Sequence, residues 1–165
     1  MPALPIRIGV IGLSTSGSRA ATLLAPILGP NAPLASTYKL TAISTRSSDS
    51  AAATAAKYSS ELGHTVKGYH GPDGAGALAN DPDVDLVVVV VNVTDRRAHA
   101  VLALEAGKDV FVEWPLGRGF EEGKELTELA RKKGVRTMMG TQATQAPFVR
   151  KVSTGYGFVR QLIDF

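Results

Sequence analysis

The 165-residue sequence contains no cysteine, which excludes a disulfide framework, a thiolate metal site and a cysteine nucleophile. Aromatic residues make up only 6% of the chain, and the net charge of +3 comes from scattered charges, with one short basic run at 131–133. Nucleic-acid surfaces instead gather basic groups with aromatic side chains between them. The composition therefore argues against direct nucleic-acid binding and fits a cytoplasmic or nuclear location.

Long hydrophobic runs are also missing. The longest, Leu86–Val91, is far shorter than the roughly 20 residues that cross a bilayer. Residues 1–17 are apolar but lack a basic segment and contain a Gly/Ser turn, so a signal peptide is the less favoured interpretation. His64, His70 and His99 are dispersed, without the spacing of metal ligands. We expect neither a membrane span nor a metal site.

Short β-branched runs alternate six times with longer helical stretches. The run at 85–93 is apolar without alternation, as expected of a parallel strand covered on both faces. Six such units predict an α/β fold, a doubly wound parallel sheet of the Rossmann type in a single domain. The predicted strands are 6–11, 38–45, 65–70, 85–93, 109–114 and 135–140.

The turn after the first strand, GLSTSG, resembles a GxGxxG fingerprint with Ser14 in the middle position, between Gly12 and Gly17. In that fingerprint the first glycine makes the turn, the second lets the backbone approach a pyrophosphate, and the third packs helix on strand. The side chain of Ser14 occupies space that a glycine would leave free for the pyrophosphate. However, Ser14, Thr15 and Ser16 offer hydroxyls and amides to a phosphate. The pattern predicts a dinucleotide site, with a ligand-free turn as the alternative.

The second predicted strand ends in Thr45 and Arg46, and the next acidic residue is Asp49. A carboxylate at this strand end would bind a ribose 2′-hydroxyl and select NAD, whereas a guanidinium suits a 2′-phosphate. We therefore expect NADP to be preferred over NAD, with Thr45 and Arg46 at the adenosine ribose. The alternative is a solvated surface arginine.

The segment DVFVEWPLG, residues 109–117, is a strand that runs directly into a Trp-Pro turn. Carboxyl ends of parallel strands face the ligand in doubly wound folds, so Glu113 and Trp114, together with Asn92, are expected at the nicotinamide end of the site. An indole has one N–H donor and no ionisable amine, so Trp114 cannot act as a general acid or base. The alternative is that this single tryptophan fills an apolar gap.

The motifs DPDVD, ALEAGKDVFVE-PL and A-KKGV resemble the N-terminal domain of the Gfo/Idh/MocA oxidoreductases, from about Ile6 to Lys151. That resemblance implies an NAD(P)-binding domain and a Glu-Lys-Pro motif whose lysine helps to bind and polarise the substrate. This sequence departs from the pattern: Asn92-Val93 replaces Thr-Pro, Arg96 replaces a histidine and Trp114 replaces the lysine.

Three further features, VEW, GLSTSG and GTQ after the sixth strand, resemble one branch of that family, the fungal galactose-pathway repressor and its relatives. This resemblance implies a nucleotide-binding fold reused as a regulator, which contacts a transcriptional activator under the influence of a dinucleotide. A homodimer is a further possibility that the resemblance leaves open.

Family-like sequence stops near Lys151, so we expect a dinucleotide-binding domain over 1–151 and an atypical C-terminal tail over 152–165. Members of the family continue into a second α/β domain that carries the substrate pocket. The tail is interpreted as an abnormal end, such as a retained intron or a shifted frame, which would make the protein truncated.

The sequence thus predicts a non-catalytic, dinucleotide-sensing regulator without catalytic residues. Its first alternative is an NADP-dependent oxidoreductase acting on a sugar or small carbonyl substrate. Its second is a remnant that folds but binds no ligand. Two interpretations remain for the charged residues Asp95, Arg96 and Arg97. They contact a phosphate or a partner, or they are solvated charges at the start of a helix.

Overall fold

The computed structural model describes residues 4–15, 19–23 and 25–141. Six parallel strands form one sheet in the order β3-β2-β1-β4-β5-β6. The predicted doubly wound parallel sheet is confirmed. The strands are β1 (Ile6–Ile11), β2 (Tyr38–Thr45), β3 (Lys67–His70), β4 (Leu86–Val89), β5 (Asp109–Glu113) and β6 (Thr137–Gly140).

Helices cover both faces of the sheet. They are α1 (Arg19–Leu23), α2 (Ala25–Leu28), α3 (Ser48–Leu62), α4 (Gly74–Ala79), α5 (Val93–Glu105) and α6 (Phe120–Lys133). One apolar cluster joins α1, α2 and α3 to the sheet, and the other joins α4, α5 and α6 to the opposite face. Val87, Val88 and Val89 of β4 divide between these clusters, which explains why this strand is apolar at every position.

The boundaries of α3 follow from its capping residues. Ser47 precedes the helix in extended conformation, and its side-chain oxygen accepts a hydrogen bond from the Ser50 amide at 3.3 Å. Gly63 ends the helix with φ of 70°, in the left-handed region that favours glycine. The Ala-rich stretch between these caps is helical throughout.

Four strands are shorter than predicted: β5 lacks the last predicted residue, β6 lacks the first two, and β3 and β4 are also shortened. β3 begins at Lys67 rather than at residue 65, because the Val66 amide donates to the Ser59 hydroxyl at 2.8 Å instead of extending the strand. β4 ends at Val89 rather than at residue 93, because the chain turns there into α5, which begins at Val93. The earlier end of β4 opens space at the carboxyl edge of the sheet.

The amino edge of the sheet is held by ion pairs. Arg7 of β1 donates from Nε and Nη2 to the two carboxylate oxygens of Asp85, at 2.9 and 2.7 Å. Buried Asp81 accepts from Lys67, from Tyr69 and from the Asp83 amide. These contacts join β1, β3 and the start of β4, far from the edge where the strands end.

The Arg7–Asp85 pair predicts a specific loss of stability in acid. The hydrogen bond from Arg7 lowers the pKa of Asp85 to about 2, below the ordinary value of about 3.9 expected in the unfolded chain. Because the folded-state pKa is the lower one, the stabilisation is present above pH 4 and is lost as the pH falls towards 2. Urea unfolding should show the stability difference between wild type and Asp85→Asn shrinking across that interval.

The matched control is Asp73→Asn, since Asp73 precedes α4 without a side-chain capping bond. At pH 5 this substitution should change the free energy of unfolding by less than Asp85→Asn does, because it removes a carboxylate without breaking a capping bond. An Asp85→Asn difference that is unchanged from pH 5 to pH 2 would show that the pair does not couple folding to protonation.

The predicted tail, 152–165, and the residue where the resemblance stops, Lys151, lie outside the described residues. In the part of the chain that the structure describes, no helix has the length and apolar character needed to cross a membrane. The same part contains no group of three or more His, Asp or Glu side chains arranged to hold a metal ion.

Candidate functional site

A cleft of about 800 Å³ lies at the carboxyl edge of the sheet. It crosses the ends of β2, β1, β4 and β5, and therefore spans the point between β1 and β4 where the strand order reverses. Ligands of doubly wound sheets bind at this switch point. The predicted binding residues that line the cleft are Gly12, Ser14, Thr45, Arg46, Asn92, Glu113 and Trp114.

The other predicted residues of the phosphate loop are not brought into this lining. Thr15 is exposed and is not among the residues that line the cleft. Ser16 and Gly17 lie outside the described residues. The loop's contribution to the site therefore rests on Gly12 and on the half-buried Ser14.

Gly12 makes the tight turn at the end of β1. Its φ is 98°, and a Cβ at this position would lie 2.1 Å from the Val90 carbonyl oxygen. The Gly12 amide also donates to the Ser44 carbonyl at 3.0 Å, which fixes the turn to β2. Only glycine permits both this conformation and this close approach of β1 to β4.

The end of β2 forms a polar rim. The Thr45 hydroxyl donates to the Ser47 carbonyl at 3.1 Å, and Arg46 is exposed beside them. Ser47 and Ser50, at the start of α3, also line the cleft here. Of the described residues of β2 and the start of α3 that line the cleft, Arg46 is the one with a charged side chain. A guanidinium with neighbouring hydroxyls is a suitable environment for a phosphate.

Arg96 and Glu113 form a buried pair at the floor of the cleft. Arg96 is 4% exposed and Glu113 is 6% exposed, and Arg96 Nη2 lies 3.6 Å from Glu113 Oε2. Arg96 also donates to the Val91 carbonyl at 2.7 Å and to the Pro115 carbonyl. The guanidinium thereby connects α5 to the chain after β4 and to the chain after β5.

Because Arg96 is buried, it is not a solvated charge at the start of a helix, which was one of the two interpretations of the sequence. Ala100, Ala103 and Leu104 of α5 are buried, and they follow Arg96 by four, seven and eight residues. That spacing places Arg96 on the inward face of the helix. The periodicity of α5 was therefore the signal that could have identified Arg96 as a residue of the site.

The Trp114 side chain, just after the end of β5, is exposed to solvent. It is 64% exposed, so the alternative that it fills an apolar gap is wrong. Its amide donates to the Gly140 carbonyl at 3.2 Å, which holds the backbone against β6, and its peptide bond to Pro115 is cis. The indole is therefore presented at the cleft rather than packed in the core.

Asn92 and His99 complete the α5 side of the cleft. Asn92 precedes α5 but makes no side-chain capping bond, so its amide group is not occupied by the helix. His99, to which the sequence analysis assigned no role, is half-buried. Burial lowers the pKa of His99, although the charge of Asp95 raises it in part, and the neutral imidazole is favoured.

These features fit a dinucleotide. The cleft is elongated across four strand ends, a glycine lets the β1 turn approach β4 closely, and a cationic rim stands at one end. Gly12 and Ser14 would lie at the pyrophosphate, Arg46 at the adenosine ribose and Trp114 at the nicotinamide. When bound, such a group supplies hydride chemistry or reports the redox state, and this chain supplies the contacts that orient it.

The fold and the cleft define a nucleotide-binding domain of the Rossmann class. The chain belongs to the oxidoreductase family with an NAD-binding Rossmann fold, GFO_IDH_MocA, whose model matches residues 6–141. The family resemblance inferred from the sequence is thus confirmed.

Proteins similar to this chain include a dehydrogenase and a ketoreductase. It is 39% identical over 150 residues to dehydrogenase aclE of Aspergillus oryzae, covering 89% of this chain and 38% of aclE. Among solved structures it is similar to KijD10, a 3-ketoreductase from Actinomadura kijaniata in complex with TDP-benzene and NADP. The TM-score is 0.68 at 30% identity, covering 91% of this chain and 42% of that one.

A super-repressor mutant of Gal80p from Saccharomyces cerevisiae also shares the fold, with a TM-score of 0.76 at 23% identity. That match covers 92% of this chain and 39% of Gal80p. The chain spans about two fifths of the length of each of these three relatives.

Proposed function

We propose that this chain is an NADP-binding domain that senses the dinucleotide and regulates a protein partner without catalysing hydride transfer itself. The observation that carries the proposal is the end of β5, where an exposed indole stands beside the expected nicotinamide position. An indole can stack on a ligand ring, but it cannot exchange a proton with a substrate.

The neighbouring carboxylate supports the same conclusion. Glu113 is buried against the Arg96 guanidinium, within a set of contacts that also includes the Val91 and Pro115 carbonyls. Separating this pair would take the carboxylate away from the buried Arg96 guanidinium, which is costly. We therefore assign Glu113 a role in holding the cleft floor rather than in proton transfer.

Two exposed aromatic side chains in the chain that follows β5 are suited to a protein partner. Trp114 is 64% exposed, and Phe120 at the start of α6 is 79% exposed. Large exposed aromatic side chains are typical anchors of protein interfaces. Because Trp114 lines the cleft and is also exposed, a bound dinucleotide would change the side chain that a partner meets. Gal80p, described as a repressor, offers a precedent for regulation on this fold.

The preference for NADP over NAD is proposed from Arg46 and its neighbouring hydroxyls. Arg46→Ala should weaken NADP binding about tenfold, because one charge-assisted contact to the 2′-phosphate is lost. The affinity for NAD, which lacks that phosphate, should change less than twofold, within the ±0.5 kcal/mol typical of neutral surface substitutions. Isothermal titration calorimetry with both dinucleotides measures the two effects.

Arg131→Ala is the matched control for charge, since Arg131 is an exposed arginine in the last turn of α6 and does not line the cleft. It should leave both affinities unchanged. Equal weakening of NADP and NAD by Arg46→Ala would contradict the assignment of Arg46 to the 2′-phosphate.

A second candidate function is an NADP-dependent oxidoreductase acting on a sugar or small carbonyl, favoured by the similarity to dehydrogenase aclE. Absorbance of NADPH at saturating protein, with a panel of aldoses and small ketones, separates the two. The regulator proposal expects no turnover from wild type or from Trp114→Lys. Substrate-dependent NADPH oxidation by either protein would favour the enzyme instead.

A further inference from the structure

The position of His99 follows from the packing of α5, which lies between α4 and α6. Arg97 pairs with Glu125 of α6, with Nε to Oε2 at 2.7 Å. Residues two apart on a helix point about 200° apart, so His99 lies on the opposite flank, towards α4. Ala75, in the first turn of α4, lines the same cleft.

This flank of the cleft belongs to the β2 end. Gly74, which precedes Ala75, packs close to Ser44 of β2: a Cβ on Gly74 would lie 3.2 Å from the Ser44 hydroxyl oxygen. His99 therefore faces the half of the cleft that contains Arg46, away from Trp114 at the end of β5.

The two ring nitrogens of His99 are in different environments. Nδ1 is buried and has no hydrogen-bond partner within the described residues. The side chain as a whole is only half-buried, so the Nε2 edge is the part of the ring that a ligand can reach. A buried N–H without an acceptor is less tolerated than a buried lone pair, and we assign the proton of the neutral ring to Nε2.

We propose that His99 binds the adenine of the dinucleotide, donating from Nε2–H to an acceptor nitrogen of that base. This inference rests on the proposed dinucleotide binding and adds a determinant for its base. Adenine carries ring nitrogens that accept hydrogen bonds. Arg46 would thus contact the adenosine ribose and its 2′-phosphate, and His99 would contact the adenine next to it.

The test compares two ligands in calorimetric titrations: NADP, and 2′-phospho-ADP-ribose, which lacks the nicotinamide. His99→Phe retains a flat ring but removes the donor. It should lower the affinity for both ligands by the same factor, roughly three- to tenfold for the loss of one hydrogen bond. Trp114→Ala, at the other end of the cleft, should weaken NADP while leaving 2′-phospho-ADP-ribose unchanged.

A purely structural role for His99 predicts that His99→Phe lowers the thermal midpoint of the ligand-free protein. We expect the opposite. His99→Phe removes an unpaired buried nitrogen, so its thermal midpoint without ligand should equal or exceed that of the wild type. Weakening of NADP alone, or unchanged affinity for both ligands, would overturn the assignment of His99 to the adenine. If wild-type protein binds neither ligand, the proposed function fails, and this inference fails with it.

Discussion

Gly12→Ala is expected to lower the free energy of unfolding by about 3 kcal/mol, an effect in the upper part of the range for single substitutions. The alanine Cβ would meet the Val90 carbonyl oxygen at 2.1 Å, and φ of 98° is unfavourable for any L side chain. Relief requires β1 and β4 to separate at the switch point. Because the cleft forms there, dinucleotide binding should be lost together with stability.

Chemical unfolding in urea, followed by circular dichroism, measures this effect. Gly76→Ala is the matched control, because Gly76 lies inside α4 and a Cβ there meets no atom within 4 Å. It should stabilise the fold by roughly 0.5–1 kcal/mol, the usual gain of alanine over glycine in a helix. A Gly12→Ala protein as stable as Gly76→Ala would mean that the β1 turn is not constrained as described.

Arg96→Ala is expected to cost about 3–5 kcal/mol, because it removes the guanidinium from beside the buried Glu113 carboxylate. The variant also frees the Val91 and Pro115 carbonyls that Arg96 holds. These groups form the floor of the cleft. We therefore expect weaker dinucleotide binding even under conditions where the variant remains folded.

Arg97→Ala provides a close comparison, since it removes the same charge from the next position of the same helix. Arg97 and Glu125 are both more than 40% exposed, at 43% and 46%. Such surface pairs contribute about 0–1 kcal/mol. The double variant Arg96→Ala/Glu113→Gln should recover part of the loss of Arg96→Ala. Equal effects of Arg96→Ala and Arg97→Ala in urea unfolding would contradict the buried pair.

Much of the fold was predictable because its signals are local. The strands β1, β2, β4 and β5 are short runs rich in β-branched residues, and Ser47 and Gly63 mark the ends of α3 in the sequence itself. The late start of β3, at Lys67 rather than at residue 65, was not predictable in this way. It depends on the Ser59 hydroxyl, which reaches across from α3 to bind the Val66 amide.

The site was predictable to the extent that it follows from topology. Parallel strands bring their carboxyl ends to one edge, so Thr45, Arg46, Glu113 and Trp114 meet in one cleft although they are far apart in sequence. The contacts of the α5 side chains were harder to predict from the sequence, because they depend on how the helix is rotated against the sheet. That rotation buries Arg96 and directs His99 towards α4.

Binding of a dinucleotide in this cleft, with a preference for NADP, can be measured on the wild-type protein. The most direct measurement is titration of wild-type protein with NADP and with NAD, following the fluorescence of Trp114, the single tryptophan of the chain and an exposed residue of the cleft. The account predicts saturable quenching by both ligands, with half-saturation at a lower concentration of NADP. Unchanged fluorescence at millimolar NADP, together with no heat of binding in calorimetry, would contradict it.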